Sequence, residues 1–242
     1  MQKTVIYTAI FGNHEQLREP EYVPSGCDFV CFTNNELRSR TWDVRTIPPP
    51  HPDPRLASRH VKILAHKYFP EYEESVYIDG NLIVTGNVHQ LCDTYLESSN
   101  MAVYNHAHTS MDPVASVREE SIHLIQRTRA GKFEDDPKLI ASQLHAYLSE
   151  GFIDNQGVSV NMILLRRHNA PDVIKAMELW WSELLKFSKR DQMSFNYVAW
   201  KTGLKFNYID GDSRNNPYFK WVPHEDIPYL IRKWHKFQKL FR

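Results

Sequence analysis

Four short runs rich in β-branched and aromatic residues, 3–10, 28–33, 42–47 and 75–79, alternate with helical or turn-rich segments. This rhythm predicts a mainly parallel α/β sheet covered by helices, because parallel neighbours are joined only by crossovers long enough to hold a helix. A chain of 242 residues suits one such domain with its own core. Between the third and fourth runs, Pro48, Pro49, Pro50, Pro52 and Pro54 fix φ and remove amide donors, so this stretch is a stiff connector, not helix or central strand.

The pattern predicts a helix over 55–69, with Val61, Leu64, Ala65 and Tyr68 as its apolar stripe and Pro70 as its stop. Further along it gives a strand over 82–85, a helix over 88–96 and a strand over 100–105. Helices over 113–130 and 137–150 come next, then a strand over 157–166 and a helix over 171–187. Asp191 is expected to N-cap a helix to about 201, before a strand at 204–209 and a last helix from about 226.

Lys and Arg together number 29, as do Asp and Glu, so no global field draws the chain to nucleic acid. Three cysteines, Cys27, Cys31 and Cys92, are read as reduced thiols of a cytoplasmic protein. The N-terminal apolar run lacks a small-residue cleavage site and reads as a strand, not a signal peptide. No apolar stretch reaches the ~20 residues of a membrane helix. The segment 229–242 carries Arg232, Lys233, Lys236, Lys239 and Arg242 among apolar residues and no acid, a pattern shared by helices on anionic membranes and by helices packed on a domain.

Chemistry concentrates in a few places. Val76-Tyr77-Ile78-Asp79-Gly80-Asn81 ends an apolar strand in a carboxylate, a glycine and an amide, where open α/β sheets bind ligands. Asp79 and Asn81 would reach one hard cation or a ribose, or form a plain turn. Tyr77 stands where haloacid-dehalogenase-like phosphatases keep a nucleophilic Asp, which argues against that chemistry. Arg55, Arg59, Lys62 and His66, spaced four, three and four apart, are expected on one helix face, a solvated basic face or a diphosphate cradle. His106 and His108 bracket Ala107 at the end of a predicted strand, placed for contact with a sugar or a metal or for a structural role. Asn155, Gln156 and Asn161 offer amides suited to hydroxyl-rich ligands. Arg190, Asp191 and Gln192 place a cation, an anion and an amide at one helix mouth, and His224 is available as a metal ligand or stacking residue.

Taken in order, Tyr7-Thr8-Ala9-Ile10-Phe11-Gly12, Cys31-Phe32-Thr33, the Arg59/Lys62 helix ending His66-Lys67-Tyr68-Phe69-Pro70, and Tyr77-Ile78-Asp79-Gly80-Asn81 form a recognisable series. Glu150-Gly151-Phe152, Arg166-Arg167-His168-Asn169, Trp180-Trp181 and Arg190-Asp191-Gln192-Met193-Ser194-Phe195 continue it. The chain thereby resembles, from Tyr7 to about Lys201, a glycosyltransferase-like family that includes plant mucilage and turgor-regulation proteins and bacterial polysaccharide-locus proteins.

The resemblance implies a GT-A type, Rossmann-like fold with a nucleotide-binding half (1–105) and an acceptor half (106–225), to which the residue pattern adds a basic amphipathic C-terminal helix (226–242). It implies transfer, with retention of configuration, from a nucleotide sugar such as a UDP-sugar to an oligo- or polysaccharide or lipid-linked glycan, for example capsule or O-antigen. Thr8, Ala9, Phe11 and Gly12 would hold the nucleoside, and Arg59, Lys62 and His66 the diphosphate. Asp79-Gly80-Asn81 would stand at the Asp-x-Asp metal motif, with Mn²⁺ or Mg²⁺ held by Asp79, Asn81 and His224. Asn81 in place of a second Asp contributes an oxygen without charge. Asp191, Gln192, Glu120 and His108 are the catalytic candidates, and His106, Asn155, Gln156, Asn161 and Arg190 the sugar contacts. A catalytically silent binding module of the same fold is the alternative. A sugar-phosphate nucleotidyltransferase would show a Gly-rich phosphate loop near the first strand, and only Gly12 is there.

Overall fold

A computed structural model describes residues 3–12, 15–155 and 157–223. In chain order the elements are β1 (Thr4–Ile10), β2 (Cys27–Thr33), β3 (Asp43–Thr46), α1 (Pro54–Ile63), β4 (Glu74–Ile78), β5 (Leu82–Val84), α2 (Val88–Tyr95) and β6 (Met101–Asn105). They continue with α3 (Val117–Arg129), α4 (Pro137–Ser149), β7 (Ser159–Arg166), α5 (Pro171–Lys186), α6 (Gln192–Thr202), β8 (Asn207–Ile209) and β9 (Phe219–Trp221). One sheet of seven strands runs β3-β2-β1-β4-β7-β6-β8, and β5 pairs with β9 outside it. Only β7 is antiparallel to its neighbours, β4 and β6. The expected mainly parallel α/β sheet is therefore present, and it passes without a break from the first half of the chain into the second.

Every residue of β1, β4 and β7 is buried, as befits central strands covered on both faces. Alternation sorts their side chains. Val5, Tyr7, Ala9 and Tyr77 join the layer of α1 and α3 to α6, whereas Ile6, Ile10, Val76 and Ile78 join the layer of α2 and the β5/β9 ribbon. Asp79 follows Tyr77 by two residues and so falls on the α1 side.

Helix α1 ends sooner than its apolar stripe predicts. Asp53 caps its start, accepting from the N–H groups of Arg55 and Leu56, with Pro54 in the first turn. Its α-helical span stops at Ile63, and Ala65–Lys67 form a separate 3₁₀ turn. The orphan carbonyls of the last turn explain this stop. Fully buried Arg166 donates to the carbonyls of Ile63 at 3.1 Å and Lys62 at 2.8 Å, and Tyr7 donates its hydroxyl to Lys62 O at 2.6 Å. Arg166 and Tyr7 also bond one another.

Arg166→Met leaves these carbonyls without their charged donor, so it should lower unfolding stability by about 2–3 kcal/mol. Arg166→Lys should recover part of the loss. Urea denaturation checks this, and a parental midpoint for Arg166→Met contradicts it.

Candidate functional site

At the C-terminal end of β4, two cations from α1 meet two carboxylates. Lys62 Nζ donates to Asp191 Oδ2 at 2.6 Å and lies 3.5 Å from Asp79 Oδ1. Arg59, almost one turn earlier, brings Nη2 to 3.6 Å from Asp191 Oδ1. Tyr77 donates its hydroxyl to Asp79 Oδ1 at 2.9 Å, and Trp180 Nε1 donates to Asp191 O at 3.1 Å. Asp191 stands at the start of α6 with helical φ and ψ, but its side chain caps nothing. The expected N-cap role is thus replaced by ion pairing, because its carboxylate is needed by buried Lys62. Burial opposes ionisation of Asp191, yet the charges of Lys62 and Arg59 outweigh it and hold the carboxyl well below the usual carboxylate range. A carboxylate so held is a weak proton acceptor. It anchors the cations, and the general-base role expected of it does not suit this setting.

A third carboxylate arrives from a loop in which sequence periodicity carries no signal. Glu15 accepts from the Gly80 N–H, and a Cβ at position 80 would stand 2.1 Å from its Oε2. A side chain at 80 would displace the Glu15 carboxyl, the far end of a flexible side chain, from this position. Burial, and next the negative charge of Asp79, push the Glu15 carboxyl up to about 7. Glu15, Asp79 and Asp191 thus face Arg59 and Lys62, three carboxyls against two cations.

The other expected residues divide. Arg55 pairs with Glu134 at 3.8 Å and His66 with Glu178 at 3.1 Å, so the basic stripe splits three ways. The break at Ile63 takes His66 out of helical phase. Thr8, Ala9 and Phe11 are buried, Ala9 and Phe11 in the cores, which leaves Gly12 at the strand end. There its N–H donates to Asn34 Oδ1 at 3.0 Å and its carbonyl accepts from Asn35 Nδ2 at 2.6 Å. Glu120 and Arg190 form a 2.7 Å ion pair, so the expected base and the expected sugar contact neutralise one another.

His106 is buried and His108 exposed, in a 3₁₀ turn that parts them. Asp154 accepts from the N–H groups of Val117 and Arg118, each at 2.8 Å, and is spent capping α3. Asn155 is exposed and Gln192 buried. Asn161 sits between Val160 and Met162 of the opposite layer, and the Met162 carbonyl accepts from the Asp79 N–H at 2.9 Å. Asn161 is 2 % exposed, and both its amide atoms lack a hydrogen-bond partner among the described residues, a condition buried amides rarely tolerate without a ligand or water. Gln156, His224 and the segment 229–242 lie outside the described residues.

Among the described residues no group of three His, Cys, Asp or Glu side chains is arranged to hold a metal. Asp79 and Asn81 nevertheless offer hard oxygens beside an excess of negative charge. Val222 N–H donates to Asn81 O at 2.9 Å, which ties the β9 end to this turn. One or two protein oxygens completed by substrate phosphates and water is the usual arrangement for Mg²⁺, and the residues present fit that arrangement.

The raised carboxyl of Glu15 has a pH signature. A folded-state value near 7 against the ordinary 4.5 means the native state binds the extra proton, so stability from this group is lost as pH rises from 4.5 to 7. Glu15→Gln should therefore gain on the parent across that window and keep a constant advantage above it. Urea denaturation of both proteins from pH 4 to 8 checks this, and a difference independent of pH contradicts it.

A family described as "TOD1/MUCI70, glycosyltransferase-like domain" matches residues 34–210. The chain is 25% identical over 243 residues to "Probable hexosyltransferase MUCI70" of Arabidopsis thaliana, covering 87% of this chain but 40% of that protein, so it spans less than half the length of this relative. Among solved structures it is similar to mouse xyloside xylosyltransferase 1, at 12% identity and a TM-score of 0.45, over 86% of this chain and 85% of that one. It is also similar to the bifunctional glycosyltransferase WbbM, at 12% identity and a TM-score of 0.43, over 86% of this chain and 38% of that one. With nearly three-quarters of its length matched, the chain belongs to the TOD1/MUCI70 glycosyltransferase-like family.

Proposed function

We propose that the chain transfers a sugar from a nucleotide-diphosphate donor, UDP-linked, to an oligo- or polysaccharide. The observation that carries this reading is the meeting of Arg59, Lys62 and Asp79 at the C-terminal end of a central parallel strand, where open α/β sheets bind nucleotides. Breaking the anomeric C–O bond leaves negative charge on the departing diphosphate. Fixed guanidinium and ammonium groups stabilise that charge more in the transition state than in the ground state, which is the preorganised electrostatics that accelerates such reactions. Asp191 holds both cations in place before the donor arrives, and Lys62 exchanges part of its bond to Asp191 and Asp79 for phosphate oxygens. A divalent cation held by Asp79 and Asn81 would supply further charge neutralisation at the same phosphates. Asn161, next to the residue whose carbonyl holds the Asp79 N–H and with its amide unpaired among the described residues, is a hydrogen-bonding group for the donor. Gly12, at the adjacent end of β1, lets backbone approach the nucleoside.

Arg59→Ala removes one charge-assisted bond to phosphate, so the Kd for UDP should rise about tenfold to a hundredfold, the equivalent of about 1.5–3 kcal/mol. Calorimetric titration of parent and variant, with Mn²⁺ present, checks this, and an unchanged Kd contradicts it. Hydrolysis of a panel of UDP-sugars by the parent separates the enzyme from the silent binding module, which binds UDP but turns over none of them.

A further inference from the structure

Beside the charged cluster, α3, the loop after β6 and the segment before β9 enclose a cavity of about 260 Å³. It is smaller than the roughly 300–1,000 Å³ that takes a drug-sized ligand, and is the size for a single sugar ring. Glu120, His123, Leu124 and Arg127 of α3 line it at helical spacing, and Phe133 adds an aromatic ring. A ring face of this kind meets the C–H face of a pyranose, while the hydroxyls around the ring need donors and acceptors together.

The cavity supplies both. His106 is 5 % exposed, and its Nδ1 accepts from Val114 N–H at 3.3 Å. That bond engages Nδ1, and the same side chain lines the cavity. Arg127 and Arg214 add donors, Asp112 adds acceptors, and Gln126 adds both.

Position decides which sugar belongs there. Arg190 lines the cavity and directly precedes Asp191 in the chain, so the cavity adjoins the charged cluster. Yet Arg59, Lys62, Asp79 and Asp191 are not among its walls. The donor diphosphate would lie against those four side chains, and a ring in the cavity lies beside them, past Arg190.

We propose that this cavity is the acceptor subsite and that it takes one neutral pyranose of the acceptor glycan through His106, Arg127 and Phe133. The proposal rests on the donor reading of the preceding subsection, and its test is read separately from that reading. The probes are the methyl glycosides of glucose, galactose, mannose and N-acetylglucosamine, with glucuronic acid as a charged control, each added to the full chain in the presence of UDP. Saturation-transfer NMR should show contact with at least one neutral glycoside. Arg127→Ala, an exposed change that leaves the fold in place, and Phe133→Ala should each weaken that binding at least tenfold while the Kd for UDP stays at the parental value.

No contact with any neutral glycoside while UDP binds, binding of the charged control alone, or contact undiminished in both variants overturns the subsite. Absence of UDP binding to the parent contradicts the donor reading instead.

Discussion

The ammonium of Lys62, shared between Asp191 and Asp79 at 2.6 and 3.5 Å, is the interaction on which the site depends. A buried lysine is tolerated only with its charge paired, and its two partners come from the start of α6 and the end of β4. Holding them together fixes how the helical layer sits on the sheet. The backbone of Lys62 is held as firmly, since Arg166 of β7 and Tyr7 of β1 both donate to its carbonyl. Strand, helix and charge are thus locked at one residue, and a group preorganised in this way costs little reorganisation when phosphate arrives.

The excess of negative charge around this lysine follows from the same packing. Glu15 comes beside Asp79 by accepting from the Gly80 N–H, close against a residue with no side chain. The charge of Asp79, after burial, then opposes ionisation of the Glu15 carboxyl beside Gly80. An added cation, or the arrival of a diphosphate with its own cation, changes this local balance. On the far side of Asp191, Arg190 is neutralised by Glu120 and borders a cavity whose walls are aromatic, amide and mixed in charge. One half of the site suits a charged leaving group, the other a neutral ring with hydroxyls.

Most strands and helices and the strand-end location of Asp79 were legible in the sequence because they follow from hydrophobic periodicity and strand alternation, whereas β9 lies where the sequence reads as a Tyr-, Pro- and Trp-rich loop. Lys62, Arg59 and Asp191 were legible as candidates, but their mutual pairing was not, since 129 positions separate Lys62 from Asp191. The α1 stop at Ile63 was hidden for the same reason: it is set by Arg166, more than a hundred residues on, while the local apolar stripe continues to Tyr68. Glu15 carried no local signal at all, sitting in a loop and acting through a tertiary approach to Gly80. Phe11 matched a family pattern but its side chain serves the interior, which a pattern alone does not distinguish from a ligand contact.

The central claim is that the end of β4 and the last turns of α1 recognise a diphosphate, so the most direct measurement is calorimetric comparison of UDP with UMP and uridine under identical salt and Mn²⁺. The account predicts that UDP binds at least about tenfold more tightly than UMP, the equivalent of one further charge-assisted contact, with the gap narrowing as ionic strength rises. Equal affinities for UDP and UMP, or no binding of either, would contradict it.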